Sequence, residues 1–379
     1  MSAKALKAAA KAFKKLPAEW RRLVVYAENR SDWAHLGPVV DRLLDQHDVN
    51  ITYLTSEATD PQLERDHPRL RAFDIGDGAV RAVAFRDMQA GLLLTTTPDL
   101  GTYDVKRSIH PVHYVYLFHA FVSTHMVYRP GAFDQFDTVL CVGPHHAAEI
   151  RASEAHYGTP RKRLVKHGYG RLDLLRAEAA TATPVERRVV LAGTWGPNAM
   201  MERTEGAAIA RALLQAGYEV IVRLHPMTTR HHPGLAGDLQ AELSEFGQLR
   251  VETDMRDRES VTTAALMVSD WSGAAFDYSL GLERPVLFVD VPTKVNNPGY
   301  TDLGIEPIEV RLRHELGEVI APEQLGGVVG SVERLTADPG AFAEKAAAVR
   351  DESVYNVGRS AEAAAAWLVA AYASVSERN

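Results

Sequence analysis

Short β-rich runs separated by helical patterns, arranged in two series along the chain, constrain its fold more than any other feature. The first series has runs at Arg22 to Tyr26, Ile51 to Leu54, Gly91 to Thr95 and Thr138 to Val142. A polar turn, Glu28 to Asp32, and a helical pattern from Trp33 to about Gln46 follow the first of them. The second series starts near Arg188, with strand patterns at Val189 to Ala192, Glu219 to Leu224, Leu249 to Glu252, Leu266 to Ser269 and Val286 to Val289. Helical patterns at Glu202 to Gln215, about Pro233 to Phe246, and Gly273 to Leu280 alternate with them. Such alternation marks parallel sheets wrapped by crossover helices. A chain of 379 residues exceeds one hydrophobic core and suits two such domains. The Ala/Thr-rich stretch Ala177 to Glu186, holding Pro184, reads as the linker. The expected organisation is therefore α/β, with two doubly wound, Rossmann-like domains at 23–180 and 181–345 facing a cleft at the carboxyl ends of their strands. A basic amphipathic helix is expected at 1–22, and a C-terminal helix at 346–379 packing back on the protein.

Composition narrows the class. Hydrophobic residues make up 46% and charged residues 24%, as in globular proteins, and no apolar run approaches the roughly 20 residues of a membrane-spanning helix. The lone Cys141, in Thr-Val-Leu-Cys-Val, excludes an internal disulfide framework and reads as a small strand residue in a reducing cytoplasm. The lysine-rich opening lacks an apolar h-region and a cleavage site, so a cytoplasmic protein is expected. A net charge of −7 argues against a nucleic-acid partner. Positive charge nonetheless gathers near the start: Lys4, Lys7, Lys11, Lys14 and Lys15 fall largely on one helical face and Leu6, Ala9, Phe13 and Leu16 on another. With Trp20 behind it, this helix suits the headgroup region of an anionic membrane and a peripheral location on its inner face; a solvated terminal helix is the alternative.

The richest constellation is Val268-Ser269-Asp270-Trp271-Ser272-Gly273-Ala274-Ala275-Phe276-Asp277-Tyr278, which leaves a strand and enters a helix within a few residues. Small residues expose the helix N-terminus, whose free N–H groups and dipole attract phosphate, and Ser272 can cap the helix or donate to an oxygen. An ordinary N-capped helix that binds nothing is the alternative. Three further strand ends belong to the same domain: Ala192-Gly193-Thr194-Trp195, Arg223-Leu224-His225-Pro226, and the turn at Thr253-Asp254. His225, beside Arg223, is placed to donate to an anionic oxygen, and Pro226 fixes the chain leaving the strand. In the first half, His110, His113, His119 and His125 fall in one short span, with His119 ending the apolar run Tyr114 to Phe118 at a strand's carboxyl end. Their spacing is not that of a helical zinc motif, and no metal is expected. No Walker lysine motif, Gly-x-Gly-x-x-Gly fingerprint or Gly-x-Ser-x-Gly elbow occurs.

Together these motifs resemble the CDP-glycerol glycerophosphotransferase family of teichoic-acid-type polymerases and primases. The likeness rests on His119-Ala120, on His225-Pro226, and on Ser269-Asp270-Trp271-Ser272-Gly273 with Phe276-Asp277. Tyr157-Gly158-Thr159-Pro160-Arg161 with Gly168-Tyr169-Gly170-Arg171-Leu172-Asp173, and Ala192-Gly193-Thr194-Trp195, add to it. Coverage runs from about Tyr116 to Val289, with an echo at Tyr355 to Ser360; His-Ala stands where the family has His-Gly, and Ser-Gly where it has Ser-Ser. The resemblance implies a GT-B fold, a CDP-glycerol or related CDP-polyol donor, no cofactor or obligatory metal, and transfer of glycerol phosphate to a hydroxyl of a lipid-linked glycan. It also implies catalytic roles for His119 and His225, and donor or phosphate binding by Thr194, Arg223, Ser269, Asp270, Ser272, Gly273 and Asp277.

Three other readings share the residues. A GT-B glycosyltransferase using a CMP- or UDP-sugar for envelope polysaccharide has the same architecture, and so does a UDP-sugar epimerase. A non-catalytic nucleotide- or glycan-binding scaffold would keep the fold without turnover.

Overall fold

The computed structural model describes residues 3–103 and 105–376 and divides into two compact units. The first holds the chain up to Ala120, Tyr128–Arg171 and the chain from Val354 onward; the second holds Phe121–Val127 and Leu172–Ser353.

The first unit is built on β1 (Leu23–Ala27), β2 (Ile51–Thr55), β3 (Leu70–Asp74), β4 (Leu92–Thr95), β5 (His113–Leu117), β6 (Thr138–Cys141) and β7 (Arg163–Lys166). Their order is β3-β2-β1-β4-β5-β6-β7, and every neighbouring pair is parallel. The central strands are buried throughout because helices cover both faces of the sheet. The second unit repeats the plan with β8 (Val185–Leu191), β9 (Glu219–Arg223), β10 (Leu249–Glu252), β11 (Ala264–Ser269), β12 (Val286–Val289) and β13 (Gly317–Ile320), ordered β10-β9-β8-β11-β12-β13 and again all parallel. Strand order reverses between β1 and β4 in one sheet and between β8 and β11 in the other. At such switch points the following loops part and leave a crevice at the carboxyl edge. These are two parallel sheets with flanking helices, of the GT-B kind.

Three strands escape the sequence patterns: β3, β7 and β13. All are edge strands with polar or exposed positions, so none presents a continuous apolar run. The helical pattern at 233–246 is replaced by two shorter helices, Pro226–His231 and Leu235–Glu242, because Pro226 starts a helix directly after His225 and Pro233-Gly234 interrupts it. The linker also moves. Ala177–Ala179 close the Gly170–Ala179 helix and Val185-Glu186 open β8, and the division between units falls at Arg171/Leu172 rather than 180/181. Composition could not show that Leu172 and Leu175 of that helix pack against Gly281, or that Arg176 pairs with Glu283 at 2.8 Å. The expected segment 346–379 likewise splits: Arg350 pairs with Glu283 in the second unit, whereas Ala364, Ala365 and Leu368 of the Ser360–Ser376 helix join the core of the first.

The N-terminal helix, Ala3–Lys14, packs on its own unit. Phe13 is 1% exposed with its ring 6.5 Å from Phe73 of β3, Leu6 lies against Gly76, and Lys14 Nζ reaches Asp87 at 2.9 Å. Lys11, Lys14 and Lys15 face outward; the side chains of Lys4 and Lys7 lie outside the described residues. The apolar face read from the sequence as available to a bilayer is thus spent on protein. Trp20 is also engaged, with the Arg71 guanidinium 4.3 Å from its ring. Phe13→Ala should destabilise the chain by about 3 kcal/mol, read as a lowered urea midpoint; a midpoint unchanged from the parent would mean the helix is undocked in solution.

Candidate functional site

In the first unit the loops leaving β1, β4, β5 and β7 carry an aromatic and imidazole cluster. His119 lies two residues beyond β5, with Nδ1 3.1 Å from the Tyr116 hydroxyl, and its carbonyl accepts from Tyr169 Oη at 3.3 Å. The His35 ring, in the first turn of the Trp33–Gln46 helix, stands edge-on to His119 at 5.8 Å and parallel to Tyr169 at 6.5 Å. Burial pulls His119 down to about 4, against a smaller opposing effect of the Thr96 backbone. His35 falls to about 3, chiefly through burial and then through His119, Arg171 and His167. His167, just past β7, is 2% exposed with no hydrogen-bond partner at either ring nitrogen among the described residues, and burial lowers it to about 4. Charging an imidazole costs hydration that a packed site does not return, so these rings are neutral at pH 7. The other histidines of the His110–His125 span disperse. His113 Nε2 meets Thr138 Oγ1 at 2.8 Å, and His125 belongs to the second unit, bonded to the Ile305 carbonyl at 3.0 Å. Among the described residues no group of three His, Cys, Asp or Glu is arranged to hold a metal ion.

In the second unit the switch point between β8 and β11 organises the site. Asp270, fully buried just past β11, accepts from Thr194 N at 2.7 Å through Oδ1 and from Met200 N at 3.0 Å through Oδ2. It thereby ties the loop after β8 to the loop after β11, and a side chain at Gly193 would crowd the same carboxylate. Ser269 Oγ, also buried, donates to the Ala192 carbonyl at 2.6 Å. Ser272 caps the Gly273–Leu282 helix by accepting from Ala274 N. Asp277 is buried within that helix. Ser269, Asp270 and Asp277 therefore shape the site from inside, while Thr194, Ser272 and Gly273 stand at its rim.

Lys294, beyond β12, is the residue the sequence reading missed. Its ammonium donates to Thr194 Oγ1 at 3.2 Å and to the Trp195 carbonyl at 3.1 Å, and sits 4.0 Å over the Trp195 ring. Burial lowers its pKa, with Asp270 and Glu202 opposing. The available signal is position, a lysine shortly after the carboxyl end of a parallel strand. Trp195 also stacks with His225 at 6.2 Å and His231 at 6.0 Å. His225 caps the Pro226–His231 helix, its Nδ1 accepting from Met227 N at 3.1 Å. Burial, then Lys294, brings it to about 4. A neutral imidazole that accepts at Nδ1 carries its proton on Nε2, so His225 presents a donor. Arg223 is held by its own neighbours. It faces Glu252 directly across the β9–β10 pair and forms an ion pair with it, while also donating to Ser260 Oγ at 2.6 Å and the Asp257 carbonyl at 2.9 Å. Sequence adjacency to His225 could not reveal that a cross-strand carboxylate pairs with the guanidinium.

The family model for CDP-glycerol:poly(glycerophosphate) glycerophosphotransferase matches residues 132–293. Over that stretch, which is less than half of the chain, the protein is similar to this transferase family. The matched stretch contains Thr194, His225 and the Ser269–Asp277 segment, stops one residue before Lys294, and begins after His119. Among solved structures, the chain is similar to the wall teichoic acid polymerase TagF, with 13% identity and a TM-score of 0.60 over 98% of this chain and 94% of that one. It is similar also to a putative UDP-N-acetylglucosamine 2-epimerase from Listeria monocytogenes, at 14% and 0.61 over 90% and 94%. The UDP-GlcNAc 2-epimerase from Neisseria meningitidis matches at 12% and 0.60 over 92% and 100%. At these identities the likenesses establish the fold. No curated protein sequence matches the chain.

The buried histidines predict a pH effect on stability. His35, His119, His167 and His225 all have folded pKa values of about 3 to 4, below the ordinary value near 6.5. Between those limits the unfolded chain binds more protons, so stability is complete above pH 6.5 and falls as pH drops toward 4. Urea midpoints measured from pH 7 to pH 4 should decline through that window.

Proposed function

We propose that this enzyme moves glycerol phosphate, or a similar polyol phosphate, from a CDP-activated donor to a hydroxyl of a lipid-linked cell-envelope glycan or polymer. The family match carries this reading, because it spans the loops that present His225, Trp195 and the Gly273–Leu282 helix N-terminus. A solved TagF variant soaked with CDPG shares the fold at 11% identity. In the reaction, neutral His119 takes the proton of the attacking hydroxyl at Nε2, in the tautomer whose proton lies on Nδ1, 3.1 Å from the Tyr116 hydroxyl. The hydroxyl oxygen bonds to the glycerol-bearing phosphorus, the bridging P–O bond breaks, and CMP departs with the bridging oxygen. Nε2–H of His225, the Lys294 ammonium and the amides at Ser272-Gly273 hold the diphosphate charge, a set of donors that supplies what a divalent ion otherwise would. Arg223 is not among them.

Association with the inner face of the cell membrane is part of the proposal, carried by charge alone at the N-terminal helix. Its outward lysines can meet anionic headgroups at on the order of 1 kcal/mol each, while Phe13 stays in the protein.

Incubation with CDP-glycerol and a glycan acceptor tests the chemistry. His119→Ala and His225→Ala should each lower CMP release by about 100-fold or more with unfolding curves unchanged in cooperativity. Lys294→Ala should raise the donor KM as well as lower kcat. Near-normal turnover in either histidine variant would overturn the assignment, and a glycosidic product from a CMP- or UDP-sugar would favour the glycosyltransferase reading.

A further inference from the structure

A recess of about 540 Å³ in the first unit lies along the helix Gly78–Arg86, away from the cluster around His119. Ala79, Ala82, Val83 and Tyr103 give it an apolar lining, and Arg86, Lys106 and Arg107 a basic one. Val83 and Tyr103 are 46% and 53% exposed. Next to it Ile109, whose amide donates to the Arg86 carbonyl at 2.9 Å, is 73% exposed. Three of the six large hydrophobic side chains left exposed among the described residues therefore meet at one place, which isolated surface residues do not do.

The charge around them is positive although the whole chain carries −7. Asp87 lies between Arg86 and Lys14 of the N-terminal helix, and Asp137 pairs with Arg107. Lys106 is exposed, and so is Arg129, whose guanidinium sits 5.2 Å from the Tyr103 ring. Among the described residues, Lys14, Arg86, Lys106, Arg107 and Arg129 thus outnumber Asp87, Asp137 and Asp99, the last of which acts on Arg129. A free anion would answer the charge but leave the exposed Ile109, Tyr103 and Val83 in water. Phosphate carried on hydrocarbon answers both, with a tyrosine at headgroup depth and basic side chains reaching outward.

We propose that this recess docks the phosphate headgroup of an anionic membrane lipid, with Ile109, Tyr103 and Val83 entering the acyl boundary. The inference rests on the membrane-associated reading above but places the apolar contact here instead of on the N-terminal helix.

The test is sedimentation of the full-length chain with vesicles of phosphatidylcholine, alone or mixed with phosphatidylglycerol. The parent should pellet with the mixed vesicles, and both Lys106→Glu and the pair Ile109→Ser with Tyr103→Ser should weaken binding by about tenfold or more. Reversing Lys11 and Lys15 to glutamate, which leaves the recess intact, should weaken binding less. Equal pelleting of the parent and the Ile109→Ser/Tyr103→Ser chain would overturn the recess while leaving the lysine face in place; no pelleting of the parent would remove both. Displacement by inorganic phosphate as effective as by soluble short-chain phosphatidylglycerol would also overturn it, because the site would then be an anion site. Ile109→Ser alone changes an exposed side chain and guards against misfolding. CMP release onto a soluble acceptor should match the parent in every variant, which keeps this result separate from the transferase assignment.

Discussion

The second unit depends on one buried carboxylate. Asp270 sits where strand order reverses, with no solvent to hydrate it, and burial alone would push it toward the neutral acid. Two backbone amides, from Thr194 and Met200, oppose that push and make the carboxylate the bridge between the loops after β8 and β11. Everything at the rim is referred to that bridge. Thr194 and the Trp195 carbonyl anchor Lys294, Trp195 stacks on His225, and Ser272 opens the helix two residues further on. The negative charge of Asp270 also sustains the half-buried Lys294 ammonium against desolvation.

The histidines obey the same rule with the opposite outcome. Imidazoles buried among other aromatic rings give up their charge, and a neutral ring has one nitrogen that donates and one that accepts. Which does which is set by neighbours: Met227 N occupies Nδ1 of His225, leaving Nε2–H as a donor, while Tyr116 stands at Nδ1 of His119. Both rings are therefore uncharged at rest.

Much of the fold was legible in the sequence. Trp33–Gln46 and Val286–Val289 coincide with their patterns, because buried strands and amphipathic helices must repeat apolar residues at their own period. Edge strands carry no such obligation, and β3, β7 and β13 were invisible for that reason; the edge strand β10 was legible because Leu249 and Val251 alternate with Arg250 and Glu252. In the site, strand-end position alone picked out His119, His225, Thr194 and Ser272. It could not separate residues that face the crevice from Ser269 and Asp270, which hold it together, because both kinds are small and polar and occupy the same turn.

By itself the sequence determined the two parallel sheets, the places where their strands end, and hence the loops in which polar groups collect. The tertiary structure alone decided where each side chain spends its interactions. Arg223 turns to Glu252 across a strand pair, Lys294 arrives from a distant loop over Trp195, and the apolar side of the N-terminal helix closes on Phe73 instead of remaining free. The physical reason is that periodicity records whether a residue is buried, whereas partnership depends on which elements the crossovers bring side by side, and a one-dimensional pattern holds no record of that.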